Sequence, residues 1–333
     1  MSLPGNPSLS ERLRPWLRIP ARTLPFPWLR AIGGLKLILP FYHLVSDDQP
    51  AHVRHLYPVR TTRQFREDLD FWGQHYQSVS LEEVLHHQRH GIPFRRWSVH
   101  LTVDDGLREC REVMAPILLE KGFHATFFLN SAFLDNRSLM FRYQACLLVE
   151  AIGRRGPSQR PENFDPLAVP YEAKETLERA LLQHGVSVQD FLATEKPYMT
   201  AQQVRELLEK GFTVGGHSVD HPLYRPLSES EQLRQTVESQ VFLEKKWGLP
   251  YRVFAFPFTD EGVGSRFLAR LHREHGFQLT FGTAGMKRDE APYHLQRLPM
   301  EKTGDSARTT MGMAYIQWAA KSLANRNTVR RNA

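Results

Sequence analysis

Two adjacent acidic residues, Asp104 and Asp105, follow the run Leu101-Thr102-Val103 and precede Gly106. Further along, Gly215-Gly216-His217-Ser218-Val219-Asp220-His221-Pro222 supplies two histidines four positions apart. A cation held by one carboxylate and two imidazoles can activate water, and a second carboxylate beside it can take the proton, so the combined set suits hydrolysis. Each half alone is weak: Asp-Asp-Gly is ordinary turn chemistry, and one histidine among 15 is usually structural. Successive side chains of an extended strand point to opposite faces, which predicts one aspartate facing a metal and the other facing the substrate. The flanking Gly215, Gly216 and Pro222 put the histidines at a strand end and loop rather than on a helix.

Positioning these groups requires βα units. From Leu35 onward short apolar runs alternate with helical patterns, the signature of a mainly parallel sheet. Strand runs are Leu35 to Tyr42, Ser98 to Val103, Ala125 to Leu129, Phe212 to Gly215, Val253 to Phe256, Gln278 to Phe281 and Leu295 to Leu298. Seven such runs predict an α/β fold, a barrel of about seven parallel strands. Helix starts carry the Ser/Thr-x-x-Glu/Gln capping pattern at Thr61, Ser80, Thr200 and Ser228. Between Asn130 and Thr200 the alternation stops. Leu139 to Ile152 and Tyr171 to His184 read as helices around a polar loop, Arg154 to Pro170. This is a helical insertion, 135–199, after one strand, and its position over the C-terminal face of the barrel suits either a lid or a packing subdomain. The organisation expected is a basic extension (1–33), a catalytic domain (34–303) and a basic C-terminal helix or tail (304–333).

At 333 residues, 41% hydrophobic and 24% charged, the composition is that of a folded domain rather than a disordered chain. The net charge of +7 permits anionic partners but selects none, and much of it is terminal: Arg12, Arg14, Arg18, Arg22 and Arg30 at one end, Lys321, Arg326, Arg330 and Arg331 at the other. A specific nucleic-acid partner is not expected from charge so distributed. Cys110 and Cys146 form no CxxC pair, which excludes a thiolate zinc site and a disulfide framework and favours buried thiols. No apolar stretch approaches the roughly 20 residues that cross a bilayer, and the arginine- and proline-broken N-terminus lacks a signal-peptide core, so a cytoplasmic protein is expected. The N-terminal Trp16, Phe26 and Trp28 fit a loosely packed tail and a membrane-surface contact equally well.

Thr102-Val103-Asp104-Asp105-Gly106 resembles the Thr-Phe-Asp-Asp-Gly motif of the polysaccharide deacetylases, carbohydrate esterase family 4, and His217 to His221 resembles their His-Ser/Thr-x-x-His motif, in the same order. Ala255-Phe256-Pro257-Phe258-Thr259 is similar to the third motif, and the resemblance spans roughly Leu35 to Met300. It implies a distorted (β/α) barrel and hydrolysis of an N-acetyl or related amide on a sugar. By position, Asp105, His217 and His221 would hold a divalent metal, Asp104 would be the general base, and the backbone N–H of Phe258 would help hold the oxyanion. Zinc is the first choice for such ligands, with manganese, cobalt, nickel and iron also compatible.

Two departures stand out. Ala255 occupies the place of the arginine that orients the base; Arg297, on a late strand, is the candidate to replace it, the alternative being a plain ion pair. The family's late Leu-x-His is absent, which leaves the general acid open among His43, His294 and no histidine at all. His100 reads as structural. The substrate expected is an N-acylated amino sugar, soluble or lipid-linked. Competing readings are a deformylase or another amide hydrolase on the same fold, a metal-retaining glycan binder without turnover, and, resting only on charge, a nucleic-acid binder.

Overall fold

A computed structural model describes residues 9–154, 164–301 and 304–332, with side chains from residue 15 onward. The first part of the N-terminal extension, with the Arg12 and Arg14 side chains, most of the loop expected at 154–170, and the 303 boundary lie outside the described residues.

Eight strands pair in one parallel sheet: β1 (Pro40–Tyr42), β2 (Leu101–Val103), β3 (Ala125–Leu129), β4 (Thr213–Gly216), β5 (Val253–Ala255), β6 (Leu279–Gly282), β7 (His294–Gln296) and β8 (Leu298–Pro299). Their order is β7-β6-β5-β4-β3-β2-β1-β8. The two edges of the sheet are therefore consecutive in sequence, separated by Arg297 alone. Arg297 N–H donates to Gly282 O (3.1 Å) on the β6 side, and the next N–H, of Leu298, donates to Leu39 O (2.8 Å) on the β1 side. One run thus changes partners at Arg297 and closes the barrel, so the single strand expected over Leu295 to Leu298 is two short ones. Each of the seven expected runs is present.

Residues on one strand alternate between two packing environments, as the pleat requires. Phe128, Val253, Ala255, Leu279 and Phe281 share a buried cluster with Leu39, whereas Phe127 and Phe254 belong to other clusters. Gly215 sits where Phe128 and Val253 meet: a Cβ there would lie 2.7 Å from the Phe128 ring, so only glycine lets β4 take this register.

The helix signals at Thr61, Ser80 and Thr200 form complete reciprocal capping boxes. At Ser228 the hydroxyl caps, but the Glu231 carboxylate is taken by Arg234 and does not return to the cap. The insertion between β3 and β4 contains α2 (Phe141–Arg154), α3 (Lys174–Gln183) and α4 (Val188–Glu195). Helix α4 was not expected; it is eight residues long, with a Ser-x-x-Asp start in place of the full box.

Residues 1–33 read as an extension without a period, yet α1 (Leu9–Thr23) is helical despite Pro15 and Pro20. It docks on α5 (Ala307–Leu323), where Gly312 allows the approach: a Cβ there would stand 2.8 Å from Ala21 O. Arg18 and Arg22 pair with the buried Asp305 at 3.0 and 3.4 Å. Tertiary packing thus overrides weak helical propensity. Both cysteines are buried and unbridged. No helix among the described residues is long and apolar enough to cross a membrane.

Candidate metal centre and active site

The strand ends β1, β2, β4 and β5 converge with the insertion on one pocket, whose walls include His43, Asp104, Asp105, His217, His221 and Phe258. Sequence reasoning placed the two aspartates on opposite faces; the structure puts both in this pocket. Asp104 N–H still pairs with Tyr42 O (2.9 Å), but Asp105 has left the strand, with φ 72° followed by 68° at Gly106. Two consecutive left-handed residues swing the second carboxylate back beside the first. For a non-glycine residue that conformation is strained, a cost usually found where function holds it.

Asp105 Oδ1 lies 3.0 Å from His221 Nε2 and 3.5 Å from His217 Nε2. It is buried and makes no hydrogen bond of acceptable geometry. One ligand atom from each of Asp105, His217 and His221 falls within 4.8 Å of the others. His217 Nδ1 is 2.7 Å from Ala255 O, which makes it the donor and leaves Nε2 bare toward the carboxylates. Asp105 is held from the far side by the Tyr143 hydroxyl, which donates to Oδ2 at 3.0 Å. Burial opposes its ionisation, but the two imidazoles outweigh that and hold the carboxyl well below the ordinary range.

The histidine loop is shaped by Ser218 (φ 73°) and His221 (φ 64°). Ser218 Oγ accepts the His221 N–H at 2.9 Å, the Asn130 amide donates to His217 O, and Gln235 Oε1 accepts Val219 N–H at 2.9 Å. From the insertion, Tyr171 donates to Asp220 Oδ2 at 2.6 Å.

Arg297 is fully buried and grips Asp104 with both nitrogens, Nη1 to Oδ1 at 2.6 Å and Nη2 to Oδ2 at 2.8 Å. Nη1 also reaches Thr102 Oγ1, and the guanidinium lies over the Phe41 ring at 4.6 Å. Burial raises the Asp104 pKa, but Arg297, followed by His217, outweighs it and keeps the carboxylate ionised. The guanidinium absent from Ala255 therefore reaches Asp104 from the closure point of the barrel.

His43 Nδ1 meets Glu301 Oε2 at 2.5 Å, and the same carboxylate accepts the N–H groups of His43 and Leu44. Burial works against protonation, yet Glu301 prevails and the His43 pKa is pushed up to about 9. His294 is elsewhere: it bonds Thr280 (2.7 Å) and Asp260 (3.1 Å) and is not part of the pocket wall. Asp260 is buried and accepts hydrogen bonds from Arg331 and Gln296 besides its contact with His294. His100 bonds Val79 O and Thr126 Oγ1, a structural role. Phe258 (φ 56°) turns its ring edge-to-face against His221 at 4.3 Å.

The family model described as polysaccharide deacetylase matches residues 163–279, which contain the histidine motif and the Phe256-Pro257-Phe258 segment but not the Asp-Asp turn. Over that stretch, about a third of its length, the chain is similar to the polysaccharide deacetylases. The match begins after the helix that donates Tyr143, so the insertion separates the Asp-Asp turn from the histidine motif in sequence. Solved structures with the same fold include the deacetylase PplD of Streptococcus pyogenes in complex with acetate (16% identity, TM-score 0.54, 83% of this chain and 97% of that one). Others are IcaB from Ammonifex degensii (18%, 0.55, 85% and 98%) and a de-N-acetylase from Aggregatibacter actinomycetemcomitans (16%, 0.54, 83% and 99%). No curated protein matches the sequence.

Sequence reasoning missed Glu301, Tyr143, Asn130, Gln235 and Arg142. None stands in one of the three motifs, and only the folded chain brings each of them to the pocket wall or to a residue that lines or shapes it.

Proposed function

We propose that the domain removes an N-acetyl or similarly small acyl group from an amino sugar of a glycan or glycan precursor. The observation that carries this is the orphaned Asp105 Oδ1 facing the Nε2 atoms of His217 and His221, next to an ionised Asp104 pinned by Arg297. A buried carboxylate oxygen without a hydrogen bond, facing two imidazole nitrogens, fits a divalent cation, and two nitrogens with one oxygen suit zinc. Bound there, the ion would supply a Lewis acid that polarises the amide carbonyl and acidifies water.

The chain's own groups do the remaining work. Asp104, fixed in orientation by Arg297, takes the proton of the attacking water. His43, protonated at neutral pH by Glu301, gives one to the leaving amine. The Phe258 N–H holds the developing oxyanion, a donor typically worth about 3 kcal/mol of barrier.

A membrane-peripheral setting with a lipid-linked substrate is supported by the apolar face of the N-terminal segment: Trp16 is 77% and Trp28 70% exposed, with Ile19 and the basic Arg22 between them.

The test combines metal analysis of wild type and His217→Ala with acetate and formate release over acetylated and formylated amino sugars. Metal bound by wild type and lost in the variant, with acetate release, is the result expected. Full metal retention in His217→Ala refutes the site, and preferential formate release replaces the acetyl reading with a deformylase. Sedimentation with anionic vesicles that Trp16→Ser/Trp28→Ser leaves unchanged refutes the membrane contact.

A further inference from the structure

Arg142, the second residue of α2, lines the pocket beside His221 and Phe258, and only 4% of it is exposed. Its Nε is buried with no hydrogen-bond partner, and among the described residues no carboxylate oxygen lies within 4.0 Å of the guanidinium. The nearest compensation is the Phe258 ring, whose centroid is 3.9 Å from Cζ and which also meets His221 edge-to-face. Asp165 pulls on it from beyond ion-pair distance. A buried cation held mainly by a π face is costly to fold, and a charge kept in a pocket at such a cost points to a ligand that completes it.

The pocket's acids are all committed elsewhere: Asp104 to Arg297, Glu301 to His43, Asp105 to the two imidazoles. A cation bound at the triad would add positive charge. A neutral acetamide would compensate none of it.

We propose that Arg142 anchors an anionic oxygen group, a carboxylate or a phosphate, that the substrate carries next to the amide to be cleaved. This rests on the amide-hydrolase reading of the same site and adds to it a substrate class: acidic, not neutral, acylated amino sugars. The planar fork of Arg142 suits bidentate capture of either group. Met140 and Leu167, which flank it in the pocket wall, supply no competing acceptor side chains.

The first arm uses inorganic phosphate as the probe, titrated calorimetrically into chelator-treated protein, so that neither a metal nor turnover enters the readout. Affinity is expected to fall at least tenfold in Arg142→Gln and to recover in part in Arg142→Lys, which keeps the charge and loses the fork. Because Arg142 makes no ion pair among the described residues, Arg142→Gln should unfold at no lower temperature than wild type. Equal phosphate affinity in wild type and Arg142→Gln overturns the proposal.

The second arm compares an N-acetyl hexosamine with its phosphate ester and its carboxylate-bearing analogue on the metal-loaded enzyme. The kcat/KM ratio of charged over uncharged substrate should collapse at least tenfold in Arg142→Gln, and whichever charged sugar shows the collapse identifies the source of the anion. An unchanged ratio with an equal loss of kcat on all three sugars overturns the proposal by assigning the guanidinium to the reacting carbonyl. If wild type hydrolyses no acylated sugar at all, the amide-hydrolase reading fails, and the phosphate arm alone decides whether Arg142 is an anion site.

Discussion

Replacing Arg297 with Met isolates the interaction on which the base depends. Wild-type Asp104 is 2% exposed and receives two short hydrogen bonds, 2.6 and 2.8 Å, from a guanidinium that is itself fully buried. Removing one partner of such a pair costs about 3–5 kcal/mol, because the other charge stays behind without compensation. Methionine fills much of the stem volume over Phe41, so the loss reports the charge rather than a cavity.

The pH dependence has a definite sign. In wild type the folded Asp104 pKa is depressed, so its contribution is present above the unfolded value of about 3.9 and lost as pH falls through it. In Arg297→Met burial, the largest influence, is opposed only by His217 and His43, the folded pKa rises, and the protein loses stability as pH climbs above about 4. The gap between the two proteins should therefore widen from pH 5 to pH 7.5.

The assay is urea unfolding of wild type, Arg297→Met, Asp104→Asn and the double variant at both pH values, all treated with chelator. Asp104→Asn strands the guanidinium in the same way, so the double variant should cost at least about 2 kcal/mol less than the sum of the singles. Additivity within about 0.5 kcal/mol, with no pH dependence, would refute the coupling and with it the orientation of the base by Arg297.

Three other outcomes can be checked directly. Tyr143→Phe deletes the 3.0 Å hydrogen bond to Asp105 and should weaken metal binding about 10- to 100-fold without unfolding the protein, measured by competition with a chromophoric chelator; equal affinity contradicts the role. Glu301→Gln leaves burial as the main influence on His43, so its pKa should drop from about 9 to below the ordinary 6.5, read from its ring-proton NMR titration, and an unmoved titration removes Glu301 as the cause. His52 and His100 are buried in the neutral form with pKa values of about 4, set chiefly by burial. Their folded values lie below the unfolded one, so each should cost about 1.4 kcal/mol of stability per pH unit as pH falls from 6.5 to 4; His100→Asn should shallow that slope, and a flat profile would show that neither stays neutral.

The barrel was legible because its strands announce themselves locally: a buried parallel strand needs a short apolar run, and Ala125–Leu129 is such a run from end to end. Helix starts were equally open where a capping box closes within four residues, as at Thr61. The N-terminal helix was not, since its prolines speak against it and only the docking of Ala21 on Gly312 tips the balance.

The sequence by itself determined which residue types could meet a metal: Asp105 and the paired histidines stand in short motifs whose chemistry is carried by identity and spacing. Tertiary structure decided everything that depends on direction. A left-handed φ at Asp105 turned a ligand expected on the opposite face toward its neighbour. A strand that switches partners at Arg297 delivered the guanidinium to Asp104 across 193 positions of chain. Glu301, Tyr143 and Arg142 reached the pocket from elements with no motif, because a side chain's reach is set by the packing of the element that carries it and not by its neighbours in sequence.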